Sequence, residues 1–115
     1  MTVVSSTVSD GQLAPCWVAI AGGGSWAFTS NAHSDTISTY AVATDGTLTL
    51  SSAVAATTGS ADTDLAVGGS HGQYLFVYDA GAPQIQEFKI GSGGTLTPLY
   101  AVYSLPPATE GLAAF

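Results

Sequence analysis

Positive charge is almost missing from this chain. Lys89 is the only Lys or Arg in 115 residues, against eight carboxylates, giving a formal net charge of −7 and a pI near 4.1. Nucleic acid is thereby excluded as an expected partner, because phosphate binding relies on a patch of cations that releases counterions. The same shortage disfavours phosphorylated substrates. Cys16 is the lone cysteine, which rules out an internal disulfide and a cysteine-based zinc site. No apolar run approaches the roughly 18 residues of a membrane span, and Gly, Ser, Thr and Asp interrupt each one. No basic region precedes an apolar run at the N-terminus, so this stretch holds no signal peptide. A soluble protein with no membrane partner is expected, its compartment unknown. No segment combines a helix-period apolar stripe with caps, and no ligand spacing typical of a metal motif occurs. Neither a metal nor another cofactor is implied.

What the chain does have is apolar content and a period. It is 46% hydrophobic and only 8% charged, which separates it from disordered tails. Residues 26–50, WAFTSNAHSDTISTYAVATDGTLTL, recur as residues 74–99, YLFVYDAGAPQIQEFKIGSGGTLTPL. Phe28 and Phe76, Asn31 and Asp79, Ile37 and Ile85, Tyr40 and Phe88, Gly46 and Gly94, and Leu48 and Leu96 all stand 48 positions apart. Self-similarity with a period of roughly 20–50 residues marks a solenoid, propeller or array.

Each copy reads as four short strands. Residues 18–21, 26–30, 36–42 and 47–54 form the first set, separated by the glycine run at 22–25, the loop at 31–35 and the Asp45-Gly46 turn. Residues 65–68, 74–78, 84–90 and 95–103 form the second. Residues 2–8, TVVSSTV, are rich in β-branched types and read as a further strand ended by Asp10-Gly11. Leu65 and Leu112 are each 47 positions beyond Val18 and Leu65, so the C-terminal EGLAAF reads as the opening strand of a third unit. Four antiparallel strands per repeat of 40–50 residues is the pattern of a β-propeller blade. The expected fold is therefore all-β: a β-propeller fragment over 1–115, with an outer strand at 2–10, blades at 15–55 and 62–103, and an inner closing strand at 110–115.

APCWVAI, SNAHSDTISTYAVATDGTLTL, YLFVYDAGAPQIQEFKIGSGGTLTPL and LPPATEGLAAF together resemble the lactonase-type seven-bladed β-propellers, the group of 6-phosphogluconolactonase-like and 3-carboxymuconate-cyclase-like proteins. The resemblance implies the C-terminal part of such a ring, about two-sevenths of it. It also implies a parent that hydrolyses a small sugar lactone or related metabolite, with enzyme activity only in a complete propeller. The partners then implied are the missing propeller blades or further copies of this chain, together with a small-molecule lactone. The alternatives are a non-catalytic module for protein binding or self-assembly, and a truncated product without independent activity.

Blade order would gather Asn31, His33, Asp35, Asp62, Asp79 and Glu110 on one face of the disc. Cys16 and Trp17, Thr63 and Asp64, and Glu110 and Gly111 would take equivalent places near the central channel. His33, Asp64 and Glu110 are the candidate catalytic residues: an imidazole titrating near neutrality as general base, and carboxylates that could share acid/base work. Trp17, Asn31 and Asp62 are the candidate ligand-binding residues. The competing readings are a solvated loop for His33 and backbone-capping turns for the carboxylates. The lack of arginine departs from a site that would stabilise an oxyanion with a cation, and Lys89 stands in a third strand away from the loops.

Overall fold

The computed structural model describes residues 2–103, 105–106, 109 and 111–115. Among these residues, eight strands form two four-stranded antiparallel sheets, each in chain order. The first holds β1 (Pro15–Ala21), β2 (Trp26–Asn31), β3 (Thr36–Val42) and β4 (Leu48–Thr57). The second holds β5 (Asp62–Gly68), β6 (Tyr74–Asp79), β7 (Gln84–Ile90) and β8 (Leu96–Tyr103). These are two adjacent blades.

Turn chemistry repeats with the blades. The β3–β4 connection closes on Gly46 at φ +87°, with Asp45 Oδ1 accepting the Thr47 N–H at 2.9 Å. Its counterpart Gly94 stands at φ +70° and presses on the neighbouring blade, where a Cβ would lie 2.7 Å from both Trp26 and Thr39. Only glycine meets both demands.

Register assigns the side chains to faces, because directly opposed residues of an antiparallel pair share one side. Phe28 pairs with Ala19 and Thr39, and Ile37 with Ser30 and Ala56. That face of the first blade looks at Leu65, Val67, Leu75, Val77 and Phe88 of the second. Phe28, Ile37, Leu75 and Val77 are wholly buried there. Full burial of a side chain of this size contributes roughly 1.5–3 kcal/mol, so the seam between the blades is the hydrophobic core.

The two terminal segments differ from the strands expected at 2–8 and 110–115. Residues 2–8 form no ladder. They run across the outer face of the first blade, with Ser5 Oγ accepting the Leu48 N–H at 2.8 Å. Farther on, Asp10 Oδ2 accepts from Tyr40 Oη at 3.0 Å and lies 2.7 Å from Ser38 Oγ. Residues 111–115 likewise form no ladder and follow β5, held by Leu112 N–H on Asp64 Oδ2 and Gly69 N–H on Phe115 O. A strand requires a ladder of backbone hydrogen bonds to a partner, and neither segment forms one with the described strands. Glu110 lies outside the described residues.

Candidate functional site

The inner strands enter the sheets in the same unusual way. Ala14 and Ala61, directly ahead of β1 and β5, are both left-handed, at φ 53° and 52°. Each is followed by a register shift, between Pro15 and Trp17 and between Asp62 and Asp64. A bulge at a strand end re-aims the next side chain, and left-handed non-glycine residues persist only where their surroundings hold them. Here the holding bonds repeat as well: Ala32 N–H to Ala14 O and Ala80 N–H to Ala61 O, both at 3.0 Å.

The residues set by the two bulges are Trp17 and Asp64, 47 positions apart, and Gly111 stands 47 farther on. All three line one cleft of about 490 Å³, together with Thr63, Tyr78 and Thr109. Trp17 keeps 52% of its surface exposed and forms an aromatic wall. Asp64 is buried, its Oδ2 accepting the Leu112 N–H at 2.6 Å while Oδ1 has no partner among the described residues. Tyr78 is the cross-strand partner of Asp64. Sequence reasoning named neither Tyr78 nor Thr109; the signal available for Tyr78 was the β5–β6 register.

The other expected site residues sit elsewhere. His33 is exposed in the β2–β3 turn, its N–H on Leu13 O, and does not line the cleft. Asn31 is fully buried and donates through Nδ2 to Ser38 Oγ at 2.9 Å and to Thr36 Oγ1 at 3.3 Å. Cys16 is exposed beside Trp17 on a shallower surface.

Asp62 and Asp79 face each other across β5 and β6 at the blade seam, both with no exposed surface. Asp62 Oδ2 accepts the Asn31 N–H at 3.2 Å, tying the second blade to the first. Asp79 Oδ2 accepts from Gln84 Nε2 at 2.6 Å and from Gly59 N–H at 3.2 Å. Burial pushes the Asp62 carboxyl up to about 6 against hydrogen bonds that favour its ionised form, with the Asp79 charge adding to the rise. Burial likewise raises Asp79, and Asp35 adds to it. Asp10 goes the other way: burial alone would raise it, but hydrogen bonds from Gln12 N–H, Ser38 and Tyr40 hold it below the usual carboxylate range. Among the described residues, no group of three or more His, Cys, Asp or Glu is placed to hold a metal ion. No helix there is long and apolar enough to cross a membrane.

Comparison with known proteins gives a consistent picture. The family profile described as lactonase, 7-bladed beta-propeller, matches residues 1–110. A crystal structure of a protein from Lactobacillus plantarum superposes with a TM-score of 0.65 at 22% identity, over 84% of this chain and 28% of that one. That likeness is one of fold, and this chain spans little more than a quarter of that protein. No curated protein matches.

Proposed function

The chain belongs to the lactonase family of seven-bladed β-propellers, and on that premise we propose that it supplies a two-blade sector to a propeller that binds and hydrolyses a small sugar lactone or related metabolite. The observation that carries this reading is the convergence of Trp17, Asp64 and Gly111, one from each successive repeat, on a single cleft. A pocket with an aromatic wall and a few fixed polar groups suits a compact ring ligand.

Opening a lactone with water needs a group that takes the proton from the attacking water, and donors toward the oxyanion that develops on the carbonyl. Asp64 is the carboxylate of the cleft and fills the first role. Thr63 and Tyr78, which also line the cleft, are assigned the second. His33 takes no part. The test is hydrolysis of a gluconolactone panel followed by pH-stat, with Asp64→Ala and His33→Ala compared in the longest active form of the protein. Turnover that falls by about 100-fold or more in Asp64→Ala and persists in His33→Ala supports the reading. Loss in His33→Ala alone refutes the assignment.

A second reading, assembly with another copy of the chain, is favoured by the equivalence of the blade faces. The face that Trp26, Phe28 and Ile37 present to the second blade reappears on the outer side of that blade as Tyr74, Phe76 and Ile85. Its receiving surface reappears on the first blade, where Val18 and Ile20, the counterparts of Leu65 and Val67, remain 57% and 53% exposed. Head-to-tail stacking would therefore repeat an interface the molecule already contains. Light scattering on the purified chain tests it: a concentration-dependent mass above 11.5 kDa that Ile20→Asp abolishes is expected, and a monomer at all concentrations refutes it.

A further inference from the structure

Residues 111–115 take, on the second blade, the place that β5 takes on the first. Leu112 and Ala114 stand 47 positions beyond Leu65 and Val67, which stand 47 beyond Val18 and Ile20. β5 packs on β1 and β2, with Leu65 and Val67 against a core that includes Ala21 and Phe28. The C-terminal segment repeats that seating one blade farther on. Leu112 and Ala114 are half-buried between exposed neighbours. Ala114 lies so close to Gly68, the counterpart of Ala21, that a Cβ on Gly68 would stand 2.7 Å from Ala114 Cβ, and 3.1 Å from the Phe76 ring. The two ends are held by Leu112 N–H on Asp64 Oδ2 at 2.6 Å and by Gly69 N–H on Phe115 O at 2.8 Å.

The seat matches a larger side chain than the one in it. Val67 with Ala21, in the seam between the blades, and Ile20 with Gly68 hold the same number of side-chain carbons, whereas Ala114 with Gly68 holds far fewer. Packed seams tolerate best the exchanges that conserve volume, so β1 of another copy, with its exposed Ile20, fits the seat on the second blade. We propose that residues 111–115 are a built-in stopper of head-to-tail stacking: they hold the seat on β5 and β6 that β1 of a second copy takes when two copies stack. The proposal rests on the assembly reading above and adds its regulation. One seat cannot hold both segments, so the apparent affinity between copies falls with the fraction of molecules whose seat is open. The bond to the Asp64 carboxylate keeps that fraction low, since a hydrogen bond to a charged group shifts such an equilibrium by about tenfold or more.

The experiment measures the concentration of half-association of the full chain by light scattering, with substitutions confined to residues 111–115 so that both blades stay intact. Ala114→Asp sets a carboxylate against Gly68, and Leu112→Pro removes the N–H that Asp64 accepts. Each is expected to lower the half-association concentration by about tenfold or more. Ala114→Ile fills the seat from within the chain and is expected to raise it by about tenfold. Adding Ile20→Asp to Ala114→Asp returns the protein to monomer, because β1 is the incoming strand. Amide exchange at Gly69, whose N–H is bonded to Phe115 O, quickens in Ala114→Asp and reports the opening itself. Equal half-association concentrations for wild type and all three variants overturn the inference and leave the assembly reading in place. Association of Ala114→Asp that survives Ile20→Asp overturns it as well. Monomers throughout, Ala114→Asp included, remove the assembly reading and the inference with it.

Discussion

Replacing Asp62 by Asn isolates the electrostatic cost stored at the blade seam. The Asp62 carboxyl has no exposed surface and titrates at about 6, against an ordinary 3.8. A difference of that size corresponds to about 3 kcal/mol. The sign follows from proton linkage: with the folded pKa raised, the native state binds more protons than the unfolded chain between the two values. Stability from this group is therefore gained as pH falls through about 6 and is complete below 3.8. At pH 4 it amounts to about 2 kcal/mol, and at pH 7.5 to about zero. Asn keeps an oxygen to accept the Asn31 N–H but carries no charge to desolvate. Asp62→Asn is thus expected to raise stability near pH 7.5 by up to about 3 kcal/mol and to change it little near pH 4. Urea denaturation of both proteins across pH 4–7.5, read by tryptophan fluorescence, measures the difference directly. Parallel stability curves for the two proteins would refute the reasoning, since they would mean that the buried carboxyl titrates alike in the folded and unfolded states.

Other substitutions test the packing around that seam. Phe28→Ala, at a wholly buried position, is expected to cost about 3–5 kcal/mol in denaturant unfolding, whereas Phe76→Ala at the matching but partly exposed position costs clearly less. Gly94→Ala meets a left-handed backbone and a Cβ position 2.7 Å from Trp26, so a loss of more than about 1 kcal/mol and a shifted Trp26 emission are expected. Asp10→Ala removes the acceptor of Tyr40 Oη and loosens residues 2–12 on the first blade, leaving the Leu48 N–H bond to Ser5 Oγ as an anchor. Because the Asp10 carboxyl is held below its usual range, its contribution is present above pH 3.8 and lost as pH falls through the folded value. Proteolysis of this segment should accordingly speed up in Asp10→Ala at neutral pH, with little difference from wild type in strong acid.

The fold lies close to the surface of the sequence because its signals are local and occur twice. Phe28 and Phe76, Ile37 and Ile85, and Gly46 and Gly94 mark strand faces and turns that depend on residues a few positions away, and duplication makes them legible. The family resemblance and the two-blade architecture follow from the same repetition. The common offset of Trp17, Asp64 and Gly111 was legible for that reason too, and the three line one cleft. Bulges and left-handed alanines gave no warning, since nothing in Ala14 or Ala61 as residue types calls for φ near +50°.

What depends on distant contacts was decided by the tertiary structure. Asn31 of the first blade and Asp62 and Asp79 of the second read along the chain as polar residues of one exposed face, yet the meeting of the two blades leaves them without exposed surface. His33, only two residues from Asn31, stays in solvent because the β2–β3 turn carries it past the edge of that seam. Residues 2–8 have the composition of a strand but no ladder, since β-branched side chains favour an extended backbone whereas a sheet needs an edge to pair with. Periodicity and turn chemistry are properties of neighbours in sequence, and the chain alone determined them. Burial, pKa and the membership of the cleft depend on which faces meet, and only the packing of one blade on the next settled those.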